Sequence, residues 1–116
     1  MATSLSTMAL PLTWREILLT YYVIYRNDER AGGPAGLFVM DSGAGKAILW
    51  DHRAREWAVD TGLVARFVDD YRNIDRYETV ERAEAEAVAE VVTGGGRLPD
   101  EHRIHALLAA APADGR

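Results

Sequence analysis

Residues 43–46, with the sequence GAGK, contain the residue types that cradle phosphate in nucleotide-binding loops. Such a loop needs another glycine five positions before the second one, a Ser or Thr after the lysine, and a helix that begins there. Met40 and Ala47 occupy the two diagnostic positions, and the next predicted element is a strand. The segment is therefore predicted to be a hairpin turn, where glycine adopts positive φ angles without steric cost.

His102 and His105 are three positions apart, which places two imidazoles on one side of a helix at a spacing that can bind a metal ion. Asp100 and Glu101 are close in sequence, but no H-E-x-x-H motif occurs, and His52 is distant. Two ligands do not complete a tetrahedral site. We expect these histidines to be solvated, and the sequence predicts neither a metal nor a cofactor.

Nucleophilic and acid–base catalysis have few candidate residues. The chain has no cysteine, which excludes thiolate catalysis, disulfides and cysteine-bound zinc. Ser42 lies in DSGAG and not in the G-x-S-x-G turn of hydrolases. Asp69 and Asp70 fall on the wet side of a predicted helix, whereas an acid–base pair requires a buried carboxyl. No catalytic residue is predicted, and the alternative function is a small-ligand enzyme that uses histidine as a base in a pocket between sheet and helices.

Aromatic and arginine side chains form the remaining functional pattern. Trp50 and Trp57 bracket a predicted turn that contains Arg53 and Arg55. Most aromatic residues of a small protein fill its core, but Trp, Tyr and Arg also anchor many protein interfaces. Alternation along the strand assigns Trp50 to the core. Trp57, Arg53 and Arg55 are therefore predicted to form a protein-binding surface.

The charge balance favours a protein partner over nucleic acid. The 116 residues carry a formal charge of −5, and Lys46 is the only lysine among them. The arginines are scattered among acids, so a phosphate backbone would meet no large basic patch. A basic surface on another protein is the better complement. We predict a small acidic, non-catalytic binding module: an adaptor, a regulator, or a neutralising partner comparable to immunity proteins and inhibitors.

Hydrophobic patterns predict strands first and helices afterwards. From about residue 18 to 59, apolar runs separated by short polar turns predict a three- to four-stranded antiparallel meander. From about residue 61 to 110, the spacing changes to that of amphipathic helices, and two to three are predicted at about 61–72, 78–92 and 100–110. The predicted fold is α+β, with the helices packed on one face of the sheet.

The first strand, at about residues 18–26, is apolar on both faces. Tyr21 and Tyr25 are predicted on one face and Tyr22 on the other. Helices on a single face would leave the second face uncovered. Tyr21, Tyr22 and Tyr25 are therefore predicted to contribute to a homodimer interface.

The second helix is expected to have one apolar side, formed by Val80, Ala83, Ala87, Val88 and Val91, and a wet side that carries Glu81, Arg82, Glu86 and Glu90.

The ends of the chain and its location follow from composition. Residues 1–12 lack the basic start of a secretory signal and are predicted to be a loose leader. The longest apolar run, residues 17–25, is shorter than the roughly 20 residues of a bilayer-spanning helix. Residues 13–110 should form a single domain in the cytoplasm, with residues 111–116 as a frayed tail.

Residues 47–60, AILWDHRAREWAVD, resemble the strand, charged turn and strand hairpins of many small actinobacterial proteins. The Ala-, Arg- and Glu-rich helices are similar to those from high-GC genomes. The resemblance implies a bacterial source, and it implies no activity, cofactor or site residue.

Overall fold

The structure is a computed structural model that describes residues 19–41, 43 and 45–110. The predictions for residues 1–12, for Ser42 and for residues 111–116 lie outside the described residues. No helix in the described part of the chain is long and apolar enough to cross a membrane. The described elements are, in chain order, β1 (Leu19–Tyr25), β2 (Pro34–Asp41), β3 (Lys46–Asp51), β4 (Glu56–Val59), α1 (Thr61–Asp69), a 3₁₀ helix (Tyr71–Arg76), β5 (Tyr77–Val80), α2 (Arg82–Thr93) and α3 (Glu101–Ala109).

The strands form one antiparallel sheet in the order β4-β3-β2-β1-β5. Strands β1 to β4 are neighbours both along the chain and in the sheet, so the predicted antiparallel meander and the α+β fold class are confirmed. Strand β5 returns after α1 and pairs with β1, where Thr79 lies opposite Tyr22. The sequence had assigned most of β5 to the second helix, because four residues are too few to reveal a period of two.

Helices cover both faces of the sheet, so the predicted packing on one face is wrong. On one face, Ala85 of α2 and Ile104 of α3 belong to a buried cluster with Ile48 of β3. On the opposite face, Val64 of α1 packs in a second cluster with Phe38 of β2. The central strands alternate apolar side chains toward both faces, and a single layer of helices would leave one of those faces in water.

The premise of the predicted homodimer is therefore not met in the described residues. Tyr21 is only 5% exposed, and its hydroxyl accepts a hydrogen bond from Arg82 Nη1 at 2.9 Å. The ring of Tyr22 stacks on Phe38, with centroids 4.6 Å apart. Tyr25 donates its hydroxyl hydrogen to Glu78 at 2.8 Å. These tyrosines pack within their own domain. The prediction of self-association assumed that this face of the sheet is uncovered, whereas α1 covers it.

An aromatic cluster fills the face that α1 covers. Phe67 of α1 meets Phe38 edge-on at a centroid distance of 6.5 Å, and its ring lies 5.6 Å from that of Tyr77. Tyr77 also approaches Tyr22 edge-on at 6.0 Å. Such pairs contribute beyond the apolar area that they bury. The cluster joins β5 and α1 to strands β1 and β2, which lie much earlier in the sequence.

Candidate protein-binding surface

The β3–β4 hairpin brings its two tryptophans together on one side of the sheet. Trp50 lies directly opposite Trp57, and their rings meet edge-on at a centroid distance of 5.3 Å. Both side chains are half-buried, and Trp57 packs against the core cluster that α2 and α3 cover. The Asp51 carboxylate accepts hydrogen bonds from the backbone N–H groups of Arg53 and Ala54, at 2.9 and 3.1 Å. These bonds fix the turn between the two strands.

Two of the three predicted binding residues hold the connection between α2 and α3. Trp57 Nε1 donates to the Arg97 carbonyl oxygen at 3.2 Å, and Arg55 Nη2 donates to the Thr93 carbonyl oxygen at 3.3 Å. Arg55 also has a φ of 57°, a left-handed conformation that is uncommon outside glycine. Arg53 is exposed and has no side-chain partner among the described residues. Trp57 and Arg55 therefore stabilise the connection between α2 and α3, and the Arg53 side chain remains available for contact with another molecule.

The connection between α2 and α3 begins with a tight turn that depends on Thr93 and three glycines. Buried Thr93 donates its hydroxyl hydrogen to the Ala89 carbonyl oxygen at 2.7 Å and accepts from the Gly96 N–H at 2.6 Å. Gly94 ends α2 with a φ of 76°, a conformation that glycine adopts without strain. A Cβ on Gly96 would lie 2.8 Å from the Thr93 hydroxyl oxygen. The turn thus fixes where Arg97 emerges beside α2.

A groove of about 470 Å³ separates α2 from the segment that leads into α3. Arg82 lines this groove at the start of α2 and donates to the Glu86 carboxylate and to the Tyr21 hydroxyl, both at 2.9 Å. Burial raises the pKa of Tyr21, although the Arg82 hydrogen bond acts in the opposite direction. Tyr21 therefore stays a protonated phenol near neutral pH. The groove is lined by Arg82, Glu86, Glu90, Arg97, Leu98 and Asp100.

Helix α2 is rotated relative to the predicted orientation. Val88 is buried as expected, but Val91 is 67% exposed, and Ala83 and Ala87 also face solvent. Alanine stands at every second position from 83 to 89, so the sequence offers a small apolar stripe on more than one side of the helix. Packing on the sheet buries a different side of the helix from the one predicted. The residues of α2 that are buried are Ala85, Val88, Ala89 and Thr93.

The outer face of α2 is consequently an apolar stripe with an acidic border. Ala83, Ala87 and Val91 follow one another at intervals of four and lie on one side of the helix. Glu84 borders one side of the stripe and Glu90 the other, and both are exposed without a hydrogen bond or ion pair among the described residues. Six carboxylates and three arginines lie between residues 81 and 110, which gives this segment −3 of the total charge of −5.

The histidines do not assemble a metal site in the described part of the chain. His102 is exposed, His105 is half-buried, and no group of three or more His, Cys, Asp or Glu side chains is placed there to hold a metal ion. His52 Nε2 lies 3.0 Å from the Ala35 carbonyl oxygen, so this nitrogen carries the hydrogen. His52 borders a cavity of about 310 Å³ next to Leu63. The His52 imidazole is exposed, whereas His105 Nε2 is buried without a hydrogen-bond partner among the described residues, so the expectation of a solvated histidine is wrong for His105.

The chain matches no protein-family model, no curated protein and no solved structure. Its function is therefore inferred from its own surfaces. Sequence reasoning missed the outer face of α2 because it assigned Val91 to the core. The available signal was the recurrence of glutamate at positions 84, 86 and 90, which places carboxylates on both sides of the alanine stripe that faces outward.

Proposed function

We propose that this protein is a non-catalytic binding module that engages a basic surface on another protein through the outer face of α2 and the groove beside it. The observation that supports this most directly is Val91, which is 67% exposed between Glu84 and Glu90. A single exposed valine is ordinary. An apolar stripe bordered by charged side chains, however, has the apolar centre and polar rim of a protein interface.

The charges of this surface are available to a partner. Glu84 and Glu90 are not neutralised by cations among the described residues, whereas Glu86 is held by Arg82. Complementary charge raises the rate of encounter and disfavours partners of the same sign. The expected partner therefore carries lysines or arginines around an apolar patch, and we place the encounter in the cytoplasm, with which a cysteine-free chain is compatible.

The hairpin contributes to this surface indirectly. Trp57 and Arg55 hold the connection that carries Arg97 into the groove, and Arg53 extends from the hairpin tip. We propose that Trp57 and Arg55 position the groove, and that Arg53 contacts the partner at the rim. An adaptor, a regulator or a neutralising partner would each use such a surface, because all three act by occupying another protein.

A pair of charge reversals tests the proposal. The double variant Glu84→Lys/Glu90→Lys places cations beside Val91, so the affinity for a basic partner should fall at least about tenfold, because juxtaposed like charges cost several kcal/mol. The matched control Glu29→Lys/Asp69→Lys changes the net charge equally at exposed sites elsewhere. The measurement is affinity capture from the source organism with wild type and both variants, followed by titration of the captured protein.

The proposal expects a captured protein that is retained by wild type and by the control and is lost with the α2 variant. Equal retention by both charge-reversed variants would show that α2 is not the contact surface. Thermal melting separates a binding defect from unfolding, since all four substituted side chains are exposed and both variants should melt close to wild type.

A further inference from the structure

The 3₁₀ helix between α1 and β5 presents two large apolar side chains to solvent. Tyr71 is 82% exposed and Ile74 is 61% exposed. A 3₁₀ helix has about three residues per turn, so residues three apart lie on the same side. Tyr71 and Ile74 therefore form one exposed apolar edge that no other described residue covers.

The opposite edge of the same helix is anchored to the domain. Asn73 and Arg76 are also three positions apart, and Asn73 Oδ1 accepts a hydrogen bond from Arg76 Nη1 at 3.2 Å. Asn73 Nδ2 donates to the Phe67 carbonyl oxygen at 3.0 Å, and Arg76 Nε donates to the Tyr25 carbonyl oxygen at 3.4 Å. The Arg76 guanidinium also lies over the Phe67 ring, 5.9 Å from its centroid. These contacts hold the helix so that its apolar edge has a fixed direction.

A shallow, open groove of about 460 Å³ that carries three arginines runs beside this helix. Arg72 holds the Asp70 carboxylate through two hydrogen bonds, at 3.0 and 2.8 Å, and these bonds lower the pKa of Asp70 to about 2. The Arg72 guanidinium is therefore already paired with a carboxylate of its own domain. Arg26 has no side-chain partner among the described residues, and Arg76 keeps Nη2 without one. Two guanidinium groups therefore remain able to bind an external anion.

We propose that this groove and the apolar edge dock a short segment of a partner protein in which acidic side chains adjoin an apolar one. Arg26 and Arg76 would pair with carboxylates, because the guanidinium group matches their planar geometry. Tyr71 and Ile74 supply the apolar contact, and tyrosine and arginine are among the residue types that most often anchor such interfaces. The surface shares no residue with the outer face of α2, so it is a second site beyond the proposed function.

Nucleic acid fits this groove less well than an acidic peptide does. Asp28 and Asp70 line the same groove, and the chain as a whole carries a charge of −5. Binding of a polynucleotide depends on a continuous row of cations along its phosphates. Two available guanidinium groups beside an apolar edge match a short segment with one or two carboxylates instead.

The test is selection of a displayed random-peptide library on the full chain, with counter-selection on the variant Arg26→Gln/Tyr71→Ser. Both replaced side chains are exposed and lack hydrogen-bond partners among the described residues, so the variant should melt like wild type. Enriched peptides should combine Asp or Glu with an apolar residue and bind the variant at least about tenfold more weakly. They should also shift the NMR amide resonances of Arg26 and of residues 71–76. The control Arg66→Gln, which removes an exposed arginine of α1, should bind them normally.

The assignment would be overturned by no enrichment over the variant, by enriched peptides without acidic residues, by equal binding to the variant, or by resonance shifts on α2 in place of the 3₁₀ helix. A short single-stranded oligonucleotide that shifts the same amides at lower concentration than the selected peptides would also overturn it, because the groove would then favour phosphate.

Discussion

Replacing Phe38 with alanine is expected to lower the free energy of unfolding by about 3–5 kcal/mol, the usual cost of truncating a buried phenylalanine. The side chain is 1% exposed. It stacks on Tyr22, meets Phe67 edge-on, and lies 6.4 Å from the tilted ring of Tyr77. Two effects contribute to this loss. The variant loses the free energy gained by transferring the ring out of water, and it leaves a cavity in the core. Because β2 is paired with β1 on one side and β3 on the other, these strands cannot move to close the cavity.

Chemical denaturation of the variant measures this loss, and Tyr71→Ala is the matched control. Tyr71 is also aromatic but 82% exposed, so its truncation should change stability by no more than about 0.5 kcal/mol. Phe38→Leu should fall between the two, because most of the apolar volume is kept. A loss below about 1 kcal/mol for Phe38→Ala would mean that α1 does not pack on this face of the sheet.

Trp57→Ala is expected to lower the free energy of unfolding by about 2–4 kcal/mol, somewhat less than for a fully buried tryptophan. The indole packs on the core cluster, and its N–H donates to the Arg97 carbonyl oxygen. Its loss should also loosen the connection between α2 and α3, so the backbone amides of residues 94–98 should exchange hydrogen faster. Trp57→Phe keeps much of the packing without the hydrogen bond and should cost about 1 kcal/mol.

Trp50→Ala is the comparison that distinguishes the structure from the sequence-based expectation. The sequence assigned Trp50 to the core and Trp57 to the binding surface, whereas the hydrogen bond and the core packing belong to Trp57. Denaturation of both variants should therefore show the larger loss for Trp57→Ala. A stable Trp57→Ala variant with weakened partner binding would restore the sequence-based role of this residue as a contact.

The features that could be predicted from the sequence are those encoded by neighbouring residues. Alternation in β1 placed Tyr21 and Tyr22 on opposite faces, and the glycines after Asp41 marked a hairpin turn. Strand β5 was missed because its four residues gain their strand conformation by pairing with β1, about 55 positions earlier in the chain. The second helical layer was missed for a related reason, since which face a helix covers depends on the path of the whole chain.

The candidate site was predicted less well than the fold because its geometry depends on contacts between distant residues. The hydrogen bond from Trp57 to Arg97 spans 40 positions, and no local sequence pattern around either residue predicts it. The orientation of α2 was ambiguous because alanine is small enough to lie on either the buried or the exposed side. Val91 and Val92 are adjacent valines, and only packing on the sheet decides that Val92 turns inward.

A photo-cross-linking amino acid at position 91, introduced into the full chain in its source organism, tests most directly whether the outer face of α2 binds a basic partner. Position 63 is the control, because Leu63 is exposed on α1, a helix on the opposite face of the sheet. We expect an adduct from position 91 to a protein whose cross-linked peptide is rich in lysine or arginine, and its loss in the Glu84→Lys/Glu90→Lys background. An adduct from position 63 alone, or one from position 91 that survives the charge reversal, would contradict a role for this surface.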